Sequence, residues 1–354
     1  MRTVLTLLLV NLAVMDPQSL PIQNGRAETR AGLSIERAIA TVGGGSDAVW
    51  LAWRVPMVRG DRDLCSTWFD GGDSIRGAFL EAGVPSTATL QAPSTGVALE
   101  AGSTLVVLLR LVDGQVERVR TVSGSCPIDA GGAKMVSLEG VSSGKSVRAL
   151  DALTGTIVPG ASGTRRVAES AVSAIALHAD SSADAVLDRF AASDADSGLR
   201  QRAANELGAL RGAHGVTILT AMITNERDRN LRRAWVSALS ANPAASVGPQ
   251  LLQIARTDVE SSVRGEAAFR YTRRMGIAKL ADALTILNAD ADEAVKRRVV
   301  SAIAAWPESA SVPVLIDLTK SHANLVVRKE AASALSRSKD GRAMAYLESV
   351  LRDR

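Results

Sequence analysis

The sequence predicts a multidomain chain. A small β-rich domain over residues 30–145 is followed by an all-α array of stacked helix pairs over residues 166–354. Three observations carry this reading. Blocks beginning Leu199-Arg200, Leu231-Arg232, Val263-Arg264, Val295-Lys296 and Val327-Arg328 recur every 32 residues. The run Val49, Leu51, Trp53, Val55, Met57 alternates with a period of two, the spacing of a strand. An Asp113-Gly114 pair separates two further strand patterns, and a type I′ turn needs the positive φ that these residues tolerate.

The chain opens with Met1-Arg2 and an apolar run from Val4 to Met15. One cation before about 12 apolar residues resembles a secretory signal peptide. The run falls short of the roughly 20 residues that span a bilayer, so no stable membrane span is expected. Residues 1–25 are therefore read as a leader, which makes the protein periplasmic or secreted. If the run is instead a buried strand, the protein is cytoplasmic. Residues 16–30 lack periodicity and read as the leader's tail.

Leu33, Ile35, Ala38 and Val42 precede a Gly43-Gly44-Gly45 turn, and the Val49–Val58 strand follows, with Pro56 placing its end at an edge or bulge. Residues 59–76 read as a loop containing Cys65. Thr104–Val112 reads as a buried strand and Gln115–Val122 as its hairpin partner with one solvated face. Lys134–Leu138 adds a further strand. Cys65 and Cys126 are the two cysteines of the chain. In an exported protein they pair by default, and in a cytoplasmic one they stay buried thiols. Residues 146–165 contain Gly155, Pro159, Gly160 and Gly163 and read as an interdomain linker.

From residue 166 the pattern is helical. Four residues after each anchor stand Ala203, Trp235, Ala267, Val299 and Ala331, and eight after it Leu207, Leu239, Tyr271, Ile303 and Leu335. Val167, Ala171 and Ile175 fit one register earlier, with Ala168 in the cation's place. A second helix keeps its own register through Leu187, Leu219, Leu251, Ala283, Leu315 and Leu347, with Phe190, Met222, Ile254, Ile286, Leu318 and Val350 three residues on. Neither helix can bury its apolar face alone, and stacking the pairs makes one continuous core. Aromatics are only 3% of the chain, which suits helices packed closely through small residues.

The turn before each anchor carries Asp194, Glu226, Asp258, Asp290 and His322. A turn acid followed by Val-Arg-x-x-Ala-x-x-x-Leu resembles HEAT repeats, especially the short bacterial repeats related to those of phycobilin lyases. The resemblance covers about 166–352 and implies a right-handed α-α superhelix. It implies a hydrogen-bonded ladder between adjacent units, built from Asp194, Arg200, Glu226, Arg232, Asp258, Arg264, Asp290, Lys296 and Arg328. Lys296, His322 and Ala168 depart from the pattern, so charge pairing should weaken at the ends of the stack. In this family the anchor helix lines the concave face. That places Gln201-Arg202, Arg233, Glu266, Arg297-Arg298 and Lys329-Glu330 near a binding groove, with Arg270, Arg273 and Arg274 adding charge. The same residues also fit an ordinary solvated helix face. Further upstream, Trp53-x-Val-Pro-Met-Val-x-Gly-Asp before Cys65, and Cys126-Pro-Ile-Asp-Ala-Gly-Gly, resemble the region ahead of the repeats in exported bacterial HEAT-repeat proteins. That resemblance supports a Cys65–Cys126 disulfide and implies no activity.

Little chemistry is carried by motifs. Gly140-Val-Ser-Ser-Gly-Lys-Ser146 is one residue short of a phosphate loop and reads as a surface turn. His178, His214 and His322 stand apart from any Glu neighbour, so they cannot supply the His-Glu ligand pairs of the di-iron deoxyhypusine hydroxylases, and capping or surface roles are expected. Net charge of +4 gives a mixed surface. The arginines at 227, 229, 232, 233, 273, 274, 297 and 298 would serve a phosphate backbone, but acids interleave with them, and no nucleic-acid partner is expected. The sequence thus predicts a non-enzymatic, exported scaffold that binds a protein or peptide through the solenoid face. No catalytic residue, metal or cofactor is expected. Two alternatives remain open: an accessory or regulatory subunit of an envelope enzyme or sensor and, more remotely, a lyase-like or nucleic-acid-binding protein.

Overall fold

The computed structural model describes residues 20–60, 62–68, 74–81, 102–158, 160–192 and 196–352. The apolar run at 4–15 and most of the 84–103 segment lie outside them, as does Asp194. The chain divides into two units, Met1–Ser146 and Val147–Arg354.

The first unit is built on a mixed five-stranded sheet. Its strands are β2 (Arg26–Ala31), β3 (Val49–Pro56), β7 (Thr104–Val112), β8 (Gln115–Ser123) and β10 (Lys134–Glu139), in the order β2-β10-β3-β7-β8. Shorter strands are β1 (Ile22–Gln23), β4 (Ser66–Trp68), β5 (Ser74–Arg76), β6 (Ala78–Phe79) and β9 (Ile128–Asp129). The β7–β8 hairpin turns at Asp113 and Gly114, with φ of 48° and 73°, as the Asp-Gly pair requires. Its alternation is imperfect because the pairing shifts between Arg110↔Arg118 and Leu111↔Val116, which leaves Glu117 as the extra residue of a bulge. Pro56 ends β3 opposite Thr104, beyond the last β10 pairing at Trp53, so its missing N–H faces no neighbour strand.

Three sequence readings are corrected here. Residues 26–31, read as far as residue 30 as a leader's tail, form β2, an edge strand on which Arg26, Glu28 and Arg30 alternate with Ala27, Thr29 and Ala31, so neither face offers large apolar residues to read. Residues 66–76, read as loop, contain the β4–β5 hairpin. The 146–165 linker is largely helix, because α2 runs Ser143–Thr154 and α3 starts at Ser162.

Helix α1 (Ile35–Val42) starts at Ser34, whose Oγ accepts the Arg37 N–H at 3.2 Å, and connects the parallel strands β2 and β3. Val49 to Trp53 are all buried, so β3 has protein on both faces. On one face Trp50, Ala52, Val106, Leu108 and Met135 pack with Ala78, Leu80, Ile128 and the Cys65–Cys126 disulfide. The bridge, with 5.4 Å between Cα atoms, ties the β4–β6 region to the start of β9.

The second unit contains α3 (Ser162–Ala176), α4 (Ser181–Ala192), α5 (Ser197–Leu210), α6 (Gly212–Asn225), α7 (Arg229–Ala241), α8 (Val247–Thr257), α9 (Ser261–Met275), α10 (Leu280–Ala289), α11 (Glu293–Ala304), α12 (Glu308–Ser321), α13 (Leu325–Leu335) and α14 (Gly341–Arg352). The anchor helices α3, α5, α7, α9, α11 and α13 each pack on the next, and the intervening helices cover them. Leu199, Ala203, Leu207, Trp235, Leu239, Val263, Ala267, Tyr271, Val295, Val299, Ile303, Val327, Ala331 and Leu335 join one buried cluster, with Leu187, Leu219, Leu251 and Leu315 from the second register. Val350 departs from its register: on α14 it is exposed, with no further anchor helix over it among the described residues.

Packing is close enough to demand glycine at two sites. A Cβ on Gly208 of α5 would lie 2.1 Å from the Ala238 carbonyl oxygen of α7, and one on Gly215 of α6 would lie 2.0 Å from that of Leu207. Both obstacles are backbone and cannot rotate away.

The turns before the anchor helices carry a ladder. Arg200 Nη2 donates to Glu226 Oε2 at 2.9 Å, Arg232 to Asp258, and Arg264 Nε and Nη2 to the Asp290 carboxylate at 2.7 and 3.1 Å. Each pair spans 26 residues, joining one unit to the turn of the next. The same acids close their own turns: Asp258 Oδ1 accepts the Glu260 N–H and Asp290 Oδ1 the Asp292 N–H, both at 2.9 Å. Two residues after each ladder acid comes a register the sequence reading missed. Asp196, Asp228, Asp292 and Asn324 cap α5, α7, α11 and α13 by accepting backbone N–H groups. Glu260 holds the same place before α9 without a side-chain cap.

The ladder changes chemistry at both ends. Where Ala168 replaces the cation, Arg165 instead pairs bidentately with the cap Asp196, at 2.5 and 2.9 Å. At the other end Lys296 donates to the Leu287 carbonyl at 2.7 Å, and Arg328 to the carbonyls of His322 and Ala323 at 2.7 and 2.9 Å. His322 still closes its turn, because Nδ1 accepts the Asn324 N–H at 3.1 Å as the acids' oxygens do elsewhere. Its Nε2 lies 3.0 Å from Asn288 Oδ1.

Burial pushes the Asp290 carboxyl up, but the Arg264 guanidinium and the Asp292 N–H outweigh it and hold it below the usual carboxylate range. Glu226 is likewise raised by burial, yet lowered overall by the N–H groups of Asp228 and Arg227 and by Arg200. A lowered folded-state pKa means stability that is present above the ordinary carboxylate pKa and lost as pH falls through the folded one.

Three outcomes follow. The helical unit should lose stability on acidification below about pH 4, and Asp290→Asn should flatten that loss while destabilising the neutral protein by about 2 kcal/mol, in urea melts followed by circular dichroism across pH. Gly208→Ala should lower stability by about 3 kcal/mol, whereas Gly163→Ala, which meets nothing within 4 Å, should be neutral or slightly stabilising in the same melts. Opening the Cys65–Cys126 bridge, which closes a loop spanning 61 residues, should cost the first unit about 4 kcal/mol, measured as the difference between denaturation curves with and without reductant.

Candidate functional site

The anchor helices place successive residues on different faces, about 100° apart. The cation one residue after each anchor turns into the ladder. The residue two after it, Arg233, Gly265, Arg297 and Lys329 in the 32-residue register, lies on another face. Three of these four bound a groove of about 460 Å³. Its walls are Arg233 of α7, Ser261, Ser262 and Gly265 of α9, Ala294, Arg297, Arg298 and Ser301 of α11, and Glu330 of α13.

Gly265 borders the groove but is itself buried, because α11 packs on it: a Cβ there would be in ordinary contact with Arg298 Cγ at 3.5 Å and Val295 Cα at 3.7 Å. Arg233 and Arg297 flank that position, one repeat before and one after. Gly265 and the serines at 261, 262 and 301 escaped the sequence reading. The signal for Gly265 was available as the one glycine in a column otherwise holding Gln201, Arg233, Arg297 and Lys329.

The arginines are held differently. Arg298 pairs with Glu266, which is only 6% exposed and also accepts from Arg270 Nε at 2.7 Å. Phe269 lies between them. The guanidinium carbons of Arg298, Arg270 and Arg273 stand 4.9, 5.8 and 5.8 Å from its ring centroid, within cation–π range. Arg297 makes a loose exposed pair with Glu293 at 3.7 Å, which contributes little. The Arg233 guanidinium has no ion pair or hydrogen bond among the described residues, and it is exposed. Of the other expected groove residues, Arg202 sits outside the groove, 3.9 Å from Glu169, and Arg270 belongs to the Glu266 cluster. Lys329 is exposed on α13 beside Glu330 but does not line the groove. Arg274 donates to the carbonyls of Ser240 and Ala244 at 3.2 Å, and Arg232 serves the ladder, so the arginines do not form one basic track.

A second depression, of about 780 Å³, lies in the first unit between Arg26, Glu28, Asp47, Glu81 and Lys134. Three of its charges are met internally: Lys134 pairs with Glu28, and Arg110 and the Trp50 indole N–H hold Glu81. The Gly144-Lys145-Ser146 segment is corrected from surface turn to the first turn of α2, entered from β10. The Ser146 hydroxyl is buried and accepts the Trp53 indole N–H at 2.8 Å, so it is not presented to a phosphate-bound cation. His178 is fully buried rather than at the surface. Burial lowers its pKa, and Nδ1 lies 2.8 Å from the Ala174 carbonyl. His214 Nε2 lies 2.8 Å from Asp188. Among the described residues no three His, Cys, Asp or Glu side chains gather as a metal site, and no helix is long and apolar enough to cross a membrane.

Residues 277–354 match the family model described as HEAT repeats. No curated protein matches the chain. Among solved structures, the complex of CpcE and CpcF of phycocyanin lyase from Nostoc sp. PCC7120 is 19% identical, covering 44% of this chain and 97% of that one at a TM-score of 0.33. Human deoxyhypusine hydroxylase in complex with glycerol is 16% identical over 58% of this chain and 90% of its own, at 0.30. The S. pombe condensin Cnd3-Cnd2 subcomplex is 19% identical over 55% of this chain and 28% of its own, at 0.33. With the family match at 277–354, and with the same 32-residue apolar register and stacked anchor helices running back through α3, the helical unit is an array of HEAT-like repeats.

Proposed function

We propose that this protein is a non-enzymatic scaffold that binds a protein or peptide through the groove across α7, α9, α11 and α13. The observation that carries the reading is the groove itself. It crosses four successive anchor helices, it is walled by exposed or half-exposed arginines and hydroxyls, and its central register position is a glycine. Repeat arrays offer extended surfaces of this kind for macromolecular partners. We further propose that the protein works outside the cytoplasm. The Cys65–Cys126 bridge supports this, since such bonds persist in oxidising compartments.

The combined variant Arg233→Glu, Arg297→Glu, Lys329→Glu should abolish capture of the partner recovered with the unaltered chain from a native envelope fraction. Unchanged capture would move the site to the first unit or to another helix face. The compartment is tested by thiol labelling of natively produced protein, denatured without reductant. Both cysteines should stay unlabelled, and full labelling of both would overturn export.

A further inference from the structure

We propose that the groove takes an extended acidic segment of a partner protein and seats its carboxylates between Arg233 and the Arg297–Arg298 pair. This rests on the scaffold reading above and adds the chemistry of the occupant.

Charge complementarity points to it. Arg233 has no charge partner among the described residues, and Arg297 has only an exposed, loose one. Arg298 is preorganised: its guanidinium is fixed between the buried Glu266 carboxylate and the Phe269 ring, so ordering it on binding costs little. Guanidinium forks match carboxylates bidentately. Among the charged residues that line the groove, Arg233, Arg297 and Arg298 outnumber Glu330.

The remaining lining selects a peptide over a phosphate polymer. Glu330 is a wall of the groove, and a nucleic-acid backbone would bring like charge to it. A peptide instead presents N–H donors to Glu330. It also presents N–H and C=O groups to the hydroxyls of Ser261, Ser262 and Ser301, which both donate and accept. A cavity of about 460 Å³ accommodates a few residues of such a chain, not a folded surface.

The test is fluorescence anisotropy of the full-length protein with labelled hexaglutamate, hexalysine and a single-stranded hexanucleotide. Hexaglutamate should bind with an affinity that falls as salt rises, and hexalysine should not bind. Arg233→Glu with Arg297→Glu should weaken hexaglutamate binding at least about tenfold. Both side chains are exposed, so the helical circular dichroism should be unchanged. A second variant leaves every arginine in place. Ser262→Glu adds a negative charge to the groove at the first turn of α9, where the helix dipole favours an acid, and should also weaken hexaglutamate. The proposal is overturned if neither variant changes hexaglutamate binding, if hexaglutamate does not bind, or if the hexanucleotide binds more tightly and is lost in the same variants. A partner captured through the groove that hexaglutamate does not displace would leave the scaffold reading standing and sink this one.

Discussion

Each helix pair of the second unit carries an apolar stripe that it cannot bury by itself, and the neighbouring pair supplies the cover. The rest of that unit follows from this constraint. Because the cover is another copy of the same element, the sequence must repeat at a fixed interval, and any slip would turn the stripe to solvent. Because the helices approach through Ala203, Ala267 and Ala331 and at Gly208, their backbones come close enough that an added methyl has nowhere to go. On α14 Val350 stands exposed among the described residues, on a stripe whose counterparts are buried.

Ladder and groove are two consequences of one helical geometry. In three repeats the residue after the anchor points to the turn of the next unit, where Arg200, Arg232 and Arg264 meet Glu226, Asp258 and Asp290. One step further around the helix, Arg233 and Arg297 point to the groove. Adjacent cations therefore do unlike work. Arg232 is largely buried against a carboxylate and serves register, while Arg233 is exposed and available to a partner. Counting basic residues misses this division, and it is the reason the eight arginines that suggest a phosphate track do not form one.

The first unit reaches stability by another route. Its central strand is buried on both faces, which a small sheet achieves only if other layers close over it. One layer is the short-stranded region around β4–β6 and β9, too slight to hold itself against the sheet through its own pairings. The Cys65–Cys126 bridge fixes it there, inside the cluster built on Trp50 and Met135. Covalent closure substitutes for the hydrogen-bond length that these strands lack.

By itself the sequence determined whatever is written in local spacing. The 32-residue registers, the two helices per unit, the Asp113-Gly114 hairpin and the acids and cations of the ladder were all readable, because period and turn chemistry act between near neighbours. The tertiary structure decided the rest. Only there does β10 enter between β2 and β3, since pairing across a hundred residues leaves no local trace. The edge strand β2 alternates charged with small residues and has no large apolar face to read, and the bulge at Glu117 broke the alternation of β8. For the groove, the flanking Arg233 and Arg297 were legible as a column of cations. The cavity was not, because its walls come from four different helices and Glu266 holds Arg298 from the neighbouring one, which happens only when the repeats are stacked.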